Sequence, residues 1–422
     1  MNILKHFITL FICCISASIS AGDKNTLTFN EYLNRVKISN IGYLAEKYNV
    51  DIAEAKAKAA KVLPDPELSV NYSNNQNWDL QMGYGFDAEL SYTVEFGGKR
   101  KARMRVAQSE KEITGILVED YFHDLRADAA IAYLTALKQK KLCEIEKSSY
   151  EQMLRLAQAD SLRFRLGSIT EIDAMQSKLE AGAMLNELYS SEGELRKILL
   201  QLPLFQGNKN METPDSIAGE LSYRKREFDL QSLVVMAQNN RCDLEIALKS
   251  KELSQNNLRL AKANRSIDLG IHLGGSYSSK VLNEIAPAPA FKGVTAGISI
   301  PLKFSNTNKG ELRAAQLAAT QSEKQYEAVE IQIATEVMQA YDKYKTACIQ
   351  VEQFNTNLLR EAEIIFKKKM YGYERGETSI LELLNSRRTY NEIQIAHIEM
   401  LYNCTLALIE LERAIEIWDI EI

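Results

Sequence analysis

The amino-acid sequence predicts a mainly α-helical chain with a transmembrane β-barrel portion, built on long helical hairpins and four short strands. Three observations carry this expectation. Two tracts, roughly 99 to 201 and 309 to 417, hold no proline and are rich in Ala, Leu, Glu, Lys, Gln and Arg, the residues that favour helix. Four short segments alternate apolar and polar side chains with the period of a strand. The order helix, strand pair, long helical hairpin occurs twice along the chain.

The N-terminus differs from everything after it. Lys5 and His6 precede an apolar stretch from Phe7 to Ile15, and the small-residue run Ser16 to Ala21 follows. This is the layout of a secretory signal peptide over residues 1–21, with cleavage after Ala21, and its apolar core falls short of the roughly 20 residues of a membrane-spanning helix. A lipid anchor on Cys13 or Cys14 is disfavoured because Ile12 and Cys13 are poor residues to precede a lipidated cysteine. Cleavage removes one lysine and no acid, which takes the formal charge from −5 to −6.

In the first strand pair Leu68, Val70 and Tyr72 alternate with Glu67, Ser69, Asn71 and Ser73, and Phe86, Ala88, Leu90, Tyr92, Val94 and Phe96 alternate with polar residues. In the second pair Ile267, Leu269, Ile271 and Leu273, then Val294, Ala296, Ile298, Ile300, Leu302 and Phe304, do the same. The joining loops, Asn74 to Gly85 and Ser278 to Gly293, have turn composition, so each pair reads as an antiparallel hairpin. Eleven residues from Phe86 to Phe96 extend about 36 Å, and at a tilt of about 40° they cross an apolar layer of roughly 25 Å. Aromatics gather near the strand ends at Tyr72, Trp78, Tyr84, Phe86, Tyr92, Phe96, Tyr277, Phe291 and Phe304, as an interfacial girdle does. Four strands cannot close a barrel, and an open edge is not tolerated in lipid, so several copies must share one. Totals of 8, 12 or 16 strands all satisfy this requirement.

The helical tracts far exceed ordinary helices; from Lys99 to Leu166 an unbroken helix spans about 100 Å. Ile331, Val337, Met338, Tyr341, Tyr344 and Cys348 form an apolar stripe that predicts a packing seam. Glycine breaks each tract near its middle, at Arg165-Leu166-Gly167-Ser168 and at Gly372-Tyr373-Glu374-Arg375-Gly376, giving two helical hairpins. Ala88, Leu90, Ser91, Val94 and Phe96 fall on Ala296, Ile298, Ser299, Leu302 and Phe304 at an offset of 208, and Gly167, Ile172 and Ser177 fall on Gly376, Leu381 and Ser386 at 209. The expected organisation is a first repeat over 22–202, a connector over 203–231 and a second repeat over 232–422.

Several function classes are disfavoured. Positive and negative side chains nearly balance, with 51 Lys and Arg against 56 Asp and Glu, so no basic stripe invites nucleic acid. His123, His272 and His397 are scattered, and no phosphate loop or nucleophile motif is found, so no catalytic site and no cofactor are expected. Cys143, Cys242, Cys348 and Cys404 stand far apart in apolar helical contexts and read as small hydrophobes.

Ala59-Ala60-Lys61-Val62-Leu63-Pro64 before the first strand, Phe96-Gly97-Gly98-Lys99-Arg100 into the first long helix, and Arg163-Phe164-Arg165-Leu166-Gly167 followed by Ile172 and Gln176 resemble the TolC-like outer membrane efflux proteins. The resemblance spans nearly all of the mature chain. It implies a homotrimer in outer membrane lipid, with four strands per subunit in a shared twelve-stranded β-barrel and the helical hairpins forming a periplasmic α-barrel. It implies two further partners, a periplasmic adaptor (membrane fusion) protein and an inner-membrane pump of the RND or ABC type. Leu166, Gly167, Ser168, Arg375, Gly376 and Glu377 occupy the adaptor-docking tip positions, and Glu374, Glu377 and Glu382 are the candidate periplasmic gate. The function implied is a passive conduit from periplasm to exterior that does no chemistry. The rival reading is a soluble periplasmic coiled-coil adaptor, which shares long hairpins but not the twofold strand repeat.

Overall fold

A computed structural model describes residues 26–76, 81–210, 213–302, 308–354 and 357–419. The signal-peptide expectation over 1–21 and the aromatics Trp78 and Phe304 lie outside them. Contacts divide the chain into two compact units. One holds the chain up to Gly42, His123–Leu233 and Val337–Ile422; the other holds Tyr43–Phe122 and Val234–Glu336.

The second of these units contains the sheet. β2 (Glu67–Asn74), β3 (Tyr84–Val94), β5 (Leu269–Ser278) and β6 (Phe291–Ser299) pair antiparallel in the order β2-β3-β5-β6. The register places like with like. Leu68, Leu90, Leu273 and Ala296 form one row across all four strands, Val70, Ala88, Gly275 and Val294 the next, and Tyr92, Ile271 and Ile298 another. The opposite face carries Asn71, Asp87, Ser276 and Gly293 in one row and Ser69, Glu89, Gly274 and Thr295 in the next. A side-chain period of two in all four strands therefore adds up to one oily face and one polar face. The oily face is bare in the single chain: Val294 is 83% and Leu273 58% exposed.

The strand bounds differ from the alternating stretches by a few residues. β3 ends at Val94 because Gly97 and Gly98 (φ +75° and +72°) swing the chain into a helix, and a Cβ on Gly97 would lie 2.0 Å from Ser266 Oγ. β6 ends before Pro301, which has no N–H to give the ladder. At the loop end, Tyr84 lies 6.4 Å from Tyr72 and 6.0 Å from Tyr277, ring centre to ring centre, so three of the predicted girdle aromatics are neighbours.

The helices of this unit are α2 (Ile41–Ala59), α7 (Cys242–Ala263), and the parts of α3 (Lys99–Arg165) and α8 (Lys309–Phe354) that fall within it. Polar pairs join them: Asn256 Nδ2 donates to Ser109 Oγ (2.9 Å, buried), and Lys249 and Lys251 pair with Glu112 and Glu323 at 2.7 and 2.9 Å. Lys99 Nζ meets Asp268 at 2.5 Å, tying the start of α3 to the approach to β5.

In the other unit β1 (Thr26–Leu27) pairs in parallel with β4 (Ser216–Ile217), and the Tyr133 hydroxyl donates to the Leu27 carbonyl at 2.7 Å. α1 (Phe29–Ser39) follows, capped by Thr28. α5 (Leu202–Phe205) and β4 are the regular pieces in the connector before α6 (Leu230–Asn240) begins. The rest of α3 pairs with α4 (Glu171–Leu199) as the first hairpin, and α9 (Leu358–Glu374) with α10 (Ile380–Ile415) as the second.

Two expectations need correction. The second tract is interrupted before its tip, since Asn357 leaves helical geometry at φ +143° and α9 starts anew at Leu358. No glycine marks this break; Asn357, the residue at positive φ, does. The α8 stripe is not a single seam: Val337, Tyr344 and Cys348 are buried, whereas Ile331 and Met338 are exposed. Ile333, Ala347 and Val351 complete the buried face instead, because a helix this long carries apolar residues on more than one side.

Candidate functional site

Both hairpin tips lie in one unit and are built the same way. Helix α3 closes with Gly167 N–H on the Phe164 carbonyl (2.8 Å) and Ser168 N–H on the Arg163 carbonyl (2.9 Å). Helix α9 closes with Gly376 N–H on the Tyr373 carbonyl (3.1 Å) and Glu377 N–H on the Gly372 carbonyl (2.8 Å). Each is a Schellman closure whose glycine sits at positive φ, +71° at Gly167 and +80° at Gly376. Each following helix is then capped alike: Thr170 accepts from Asp173 N–H and Ser379 from Glu382 N–H. The offset of 209 read from the sequence thus extends to the hydrogen bonds of the two turns.

Leu166, Gly167 and Ser168 are exposed at the first tip, and Arg375, Gly376 and Glu377 at the second. A Cβ at either glycine would meet open space, so backbone conformation and not crowding selects glycine there. Ile172, Met175 and Leu179 continue an exposed apolar strip down α4 from the first tip. Arg375 lies over the Tyr371 ring at 4.2 Å. The three candidate gate carboxylates do not form one cluster of free charges. Glu374 and Glu377 are exposed, while Glu382 pairs with Lys369 at 2.7 Å.

Behind the tips the two hairpins share a core. Met153, Leu156 and Ala157 of α3, Ala181 and Met184 of α4, Phe366 and Tyr373 of α9, and Ile380 and Leu383 of α10 pack into one cluster. Polar contacts inside it join the hairpins. Tyr373 Oη donates to Asp160 Oδ2 at 2.9 Å, and Asp160 is wholly buried. Arg163 Nη1 stands 3.6 Å from the other carboxylate oxygen, with its guanidinium 5.2 Å from the centre of the Tyr373 ring. Burial pushes the Asp160 carboxyl above the ordinary range, against the opposing pull of the Tyr373 hydroxyl and Arg163. Arg387, only 2% exposed, donates from Nη2 to the Ser149 carbonyl, and burial draws its guanidinium down to about 10. Ser149 Oγ also bonds Asn391 Oδ1 at 3.0 Å.

Sequence reading missed this set. Asp160 and Tyr373 are 213 positions apart, and each reads locally as a polar residue on a helix. A signal was present, since Tyr373 sits about one turn before Gly376 and Asp160 about two turns before Gly167, each ahead of an aligned tip glycine.

The outer membrane efflux protein family model matches residues 233–415. Over 397 residues the chain is 23% identical to the cobalt-zinc-cadmium resistance protein CzcC of Cupriavidus metallidurans, spanning 92% of this chain and 89% of that protein. Among solved structures it is similar to CusC, with a TM-score of 0.72 and 16% identity over 92% of this chain and 91% of that one. It is also similar to the CmeC outer membrane channel of Campylobacter jejuni, with a TM-score of 0.73 and 15% identity over 92% and 85%. The four-stranded sheet, the paired long hairpins and the twin tips belong to a fold that the chain shares with these channels along nearly its whole length, and its residues 233–415 match the outer membrane efflux protein family.

Proposed function

We propose that the protein is the outer-membrane channel of a tripartite efflux system, working as a homotrimer whose subunits each place four strands in one twelve-stranded barrel. The observation that carries this reading is the sheet. Its oily face is exposed over all four strands, and its outer strands β2 and β6 each pair on one side among the described residues. In a bilayer each unpaired backbone group costs several kcal/mol, so an open edge the length of β6 costs on the order of tens of kcal/mol. Neighbouring copies that supply β2 to β6 remove that cost, and three copies give twelve strands.

The channel takes no part in covalent chemistry. Solutes pass along polar strand faces and the lumen between hairpins, driven by an inner-membrane pump of the RND or ABC type through a periplasmic adaptor. We place adaptor docking at Leu166, Gly167 and Ser168 and at Arg375, Gly376 and Glu377, where two exposed glycine turns stand free of side-chain cover. Glu374 and Glu377 face solvent beside the second turn and would form an acidic ring when three copies meet, attracting cations and repelling one another. The Tyr373 and Asp160 contact holds the two hairpins together and is the closed latch. For cargo we propose heavy-metal ions first, following the resistance named for the CzcC relative. A soluble adaptor is disfavoured, since such a protein has no use for a bare oily sheet.

The test is extraction and mass. The mature protein should partition with outer membranes, require detergent, and elute with the mass of three chains by light scattering. A water-soluble single chain would refute the proposal. Deleting the gene in its host should lower tolerance to cobalt, zinc or cadmium salts, and unchanged tolerance would remove the cargo assignment alone.

A further inference from the structure

We propose that Cys348 and Cys404 are an oxidation site, converted in the exported protein to one intramolecular disulfide that staples α8 to α10. The two thiols lie on different helices, 56 positions apart, with Sγ atoms 3.7 Å from each other. Both are buried, 8% and 6% exposed, and so are Tyr344 and Val351 beside Cys348 on α8 and Leu401 and Ala407 beside Cys404 on α10. A disulfide needs its sulfurs about 2.05 Å apart, so closure asks the two Sγ atoms to approach by less than about 2 Å. Reading the four mature cysteines one at a time makes each a small hydrophobe; the fold makes these two a pair.

The inference rests on the proposed periplasmic location, because that compartment favours disulfides where the cytosol does not. The co-reactant is a disulfide-bonded protein oxidant. The thiolate of one cysteine attacks a sulfur of the oxidant, giving a mixed disulfide and releasing one oxidant thiol. The second cysteine attacks the mixed disulfide and releases the other, so two protons and two electrons pass to the oxidant. Burial pushes the Cys404 thiol up to about 12, which starves the folded site of thiolate. The exchange therefore belongs to folding, before α8 and α10 close over the pair, and the same burial afterwards shields the bond from reductants. All of α9 and the tip Arg375-Gly376-Glu377 lie between the two cysteines. The staple fixes the base of the second hairpin while leaving the turn itself unconstrained.

The test uses the full-length protein purified from outer membranes in detergent without reductant. It is denatured in acid, alkylated with N-ethylmaleimide, digested and mapped by mass spectrometry, with a parallel sample reduced first. The expected result is a linked peptide pair holding Cys348 and Cys404, lighter by two hydrogens than the summed thiol forms, with both residues alkylated only after reduction. Alkylation of both without reduction, or linkage of either to another cysteine, overturns the proposal. A second measurement compares thermal unfolding of wild type with the Cys348→Ala, Cys404→Ala double variant. Reductant, which reaches the bond as the chain opens on heating, should lower the wild-type midpoint by about 5 °C and leave the variant unmoved; equal response in both overturns it. Failure of the channel reading shows separately, as absence of the chain from the outer membrane fraction.

Discussion

Replacing Tyr373 by phenylalanine should release the latch between the two hairpins. The substitution keeps the ring in the cluster of Met153, Leu156, Phe366 and Leu383 and deletes only the hydroxyl, whose 2.9 Å bond to Asp160 is buried. A hydrogen bond to a charged group contributes about 1.5–3 kcal/mol, and its loss leaves a buried carboxylate oxygen without its donor. Taking about 2 kcal/mol, the ratio of closed to open falls roughly 30-fold for one subunit. If three subunits open together the terms add to about 6 kcal/mol, on the order of 10⁴-fold. Conductance across planar bilayers reads this directly: the variant should show far longer open times than wild type at equal trimer content. Asp160→Asn is the graded control, since it keeps an acceptor for the hydroxyl while removing the charge, and should fall between the two. Unchanged open probability in Tyr373→Phe, with unfolding also unchanged, would show that the contact does not hold the hairpins closed.

Other consequences follow from named residues. Glu412 is 3% exposed, and burial with Asp419 beside it pushes its carboxyl up to about 8 although Arg226 stands 3.2 Å away. Between the ordinary carboxylate range and about pH 8 the folded chain thus holds a proton that the unfolded chain has released, so stability falls as pH rises through that window. Thermal unfolding of Glu412→Gln should be flatter with pH across it. Gly167→Ala and Gly376→Ala each force a Cβ onto positive φ and should cost about 1–2 kcal/mol of tip stability with no steric clash, seen as faster amide exchange confined to the turn. Val294→Lys, on the oily face, should cost about 2–4 kcal/mol and impair barrel assembly, whereas Thr295→Lys on the polar face should assemble normally; heat-modifiability on gels distinguishes them.

Much of the architecture was legible because it is written in short periods. Alternation at Leu68, Val70 and Tyr72 sets which side of β2 is oily, and no later contact alters it. Absence of proline from 67 to 202 and from 302 to 422 permits helices of the length seen in α3. Gly167 and Gly376 announce the turns, because only they accept φ of +71° and +80° without strain. Strand ends were displaced because alternation runs past the point where Gly97 or Pro301 stops the pairing. The break at Asn357 was missed because asparagine tolerates positive φ without advertising it as glycine does.

By itself, then, the sequence determined the local and the repeated: four half-oily strands, two hairpins, two equivalent tips and the offset that relates them. Only the tertiary structure decided which distant side chains meet. Asp160 found Tyr373, Arg387 found the Ser149 carbonyl, and Cys348 found Cys404, each across packed helices. The physical reason is that a helix of dozens of residues presents apolar positions on several faces, so its own pattern does not choose a partner. That choice is made by the summed packing of neighbouring helices, and it is registered only when they close.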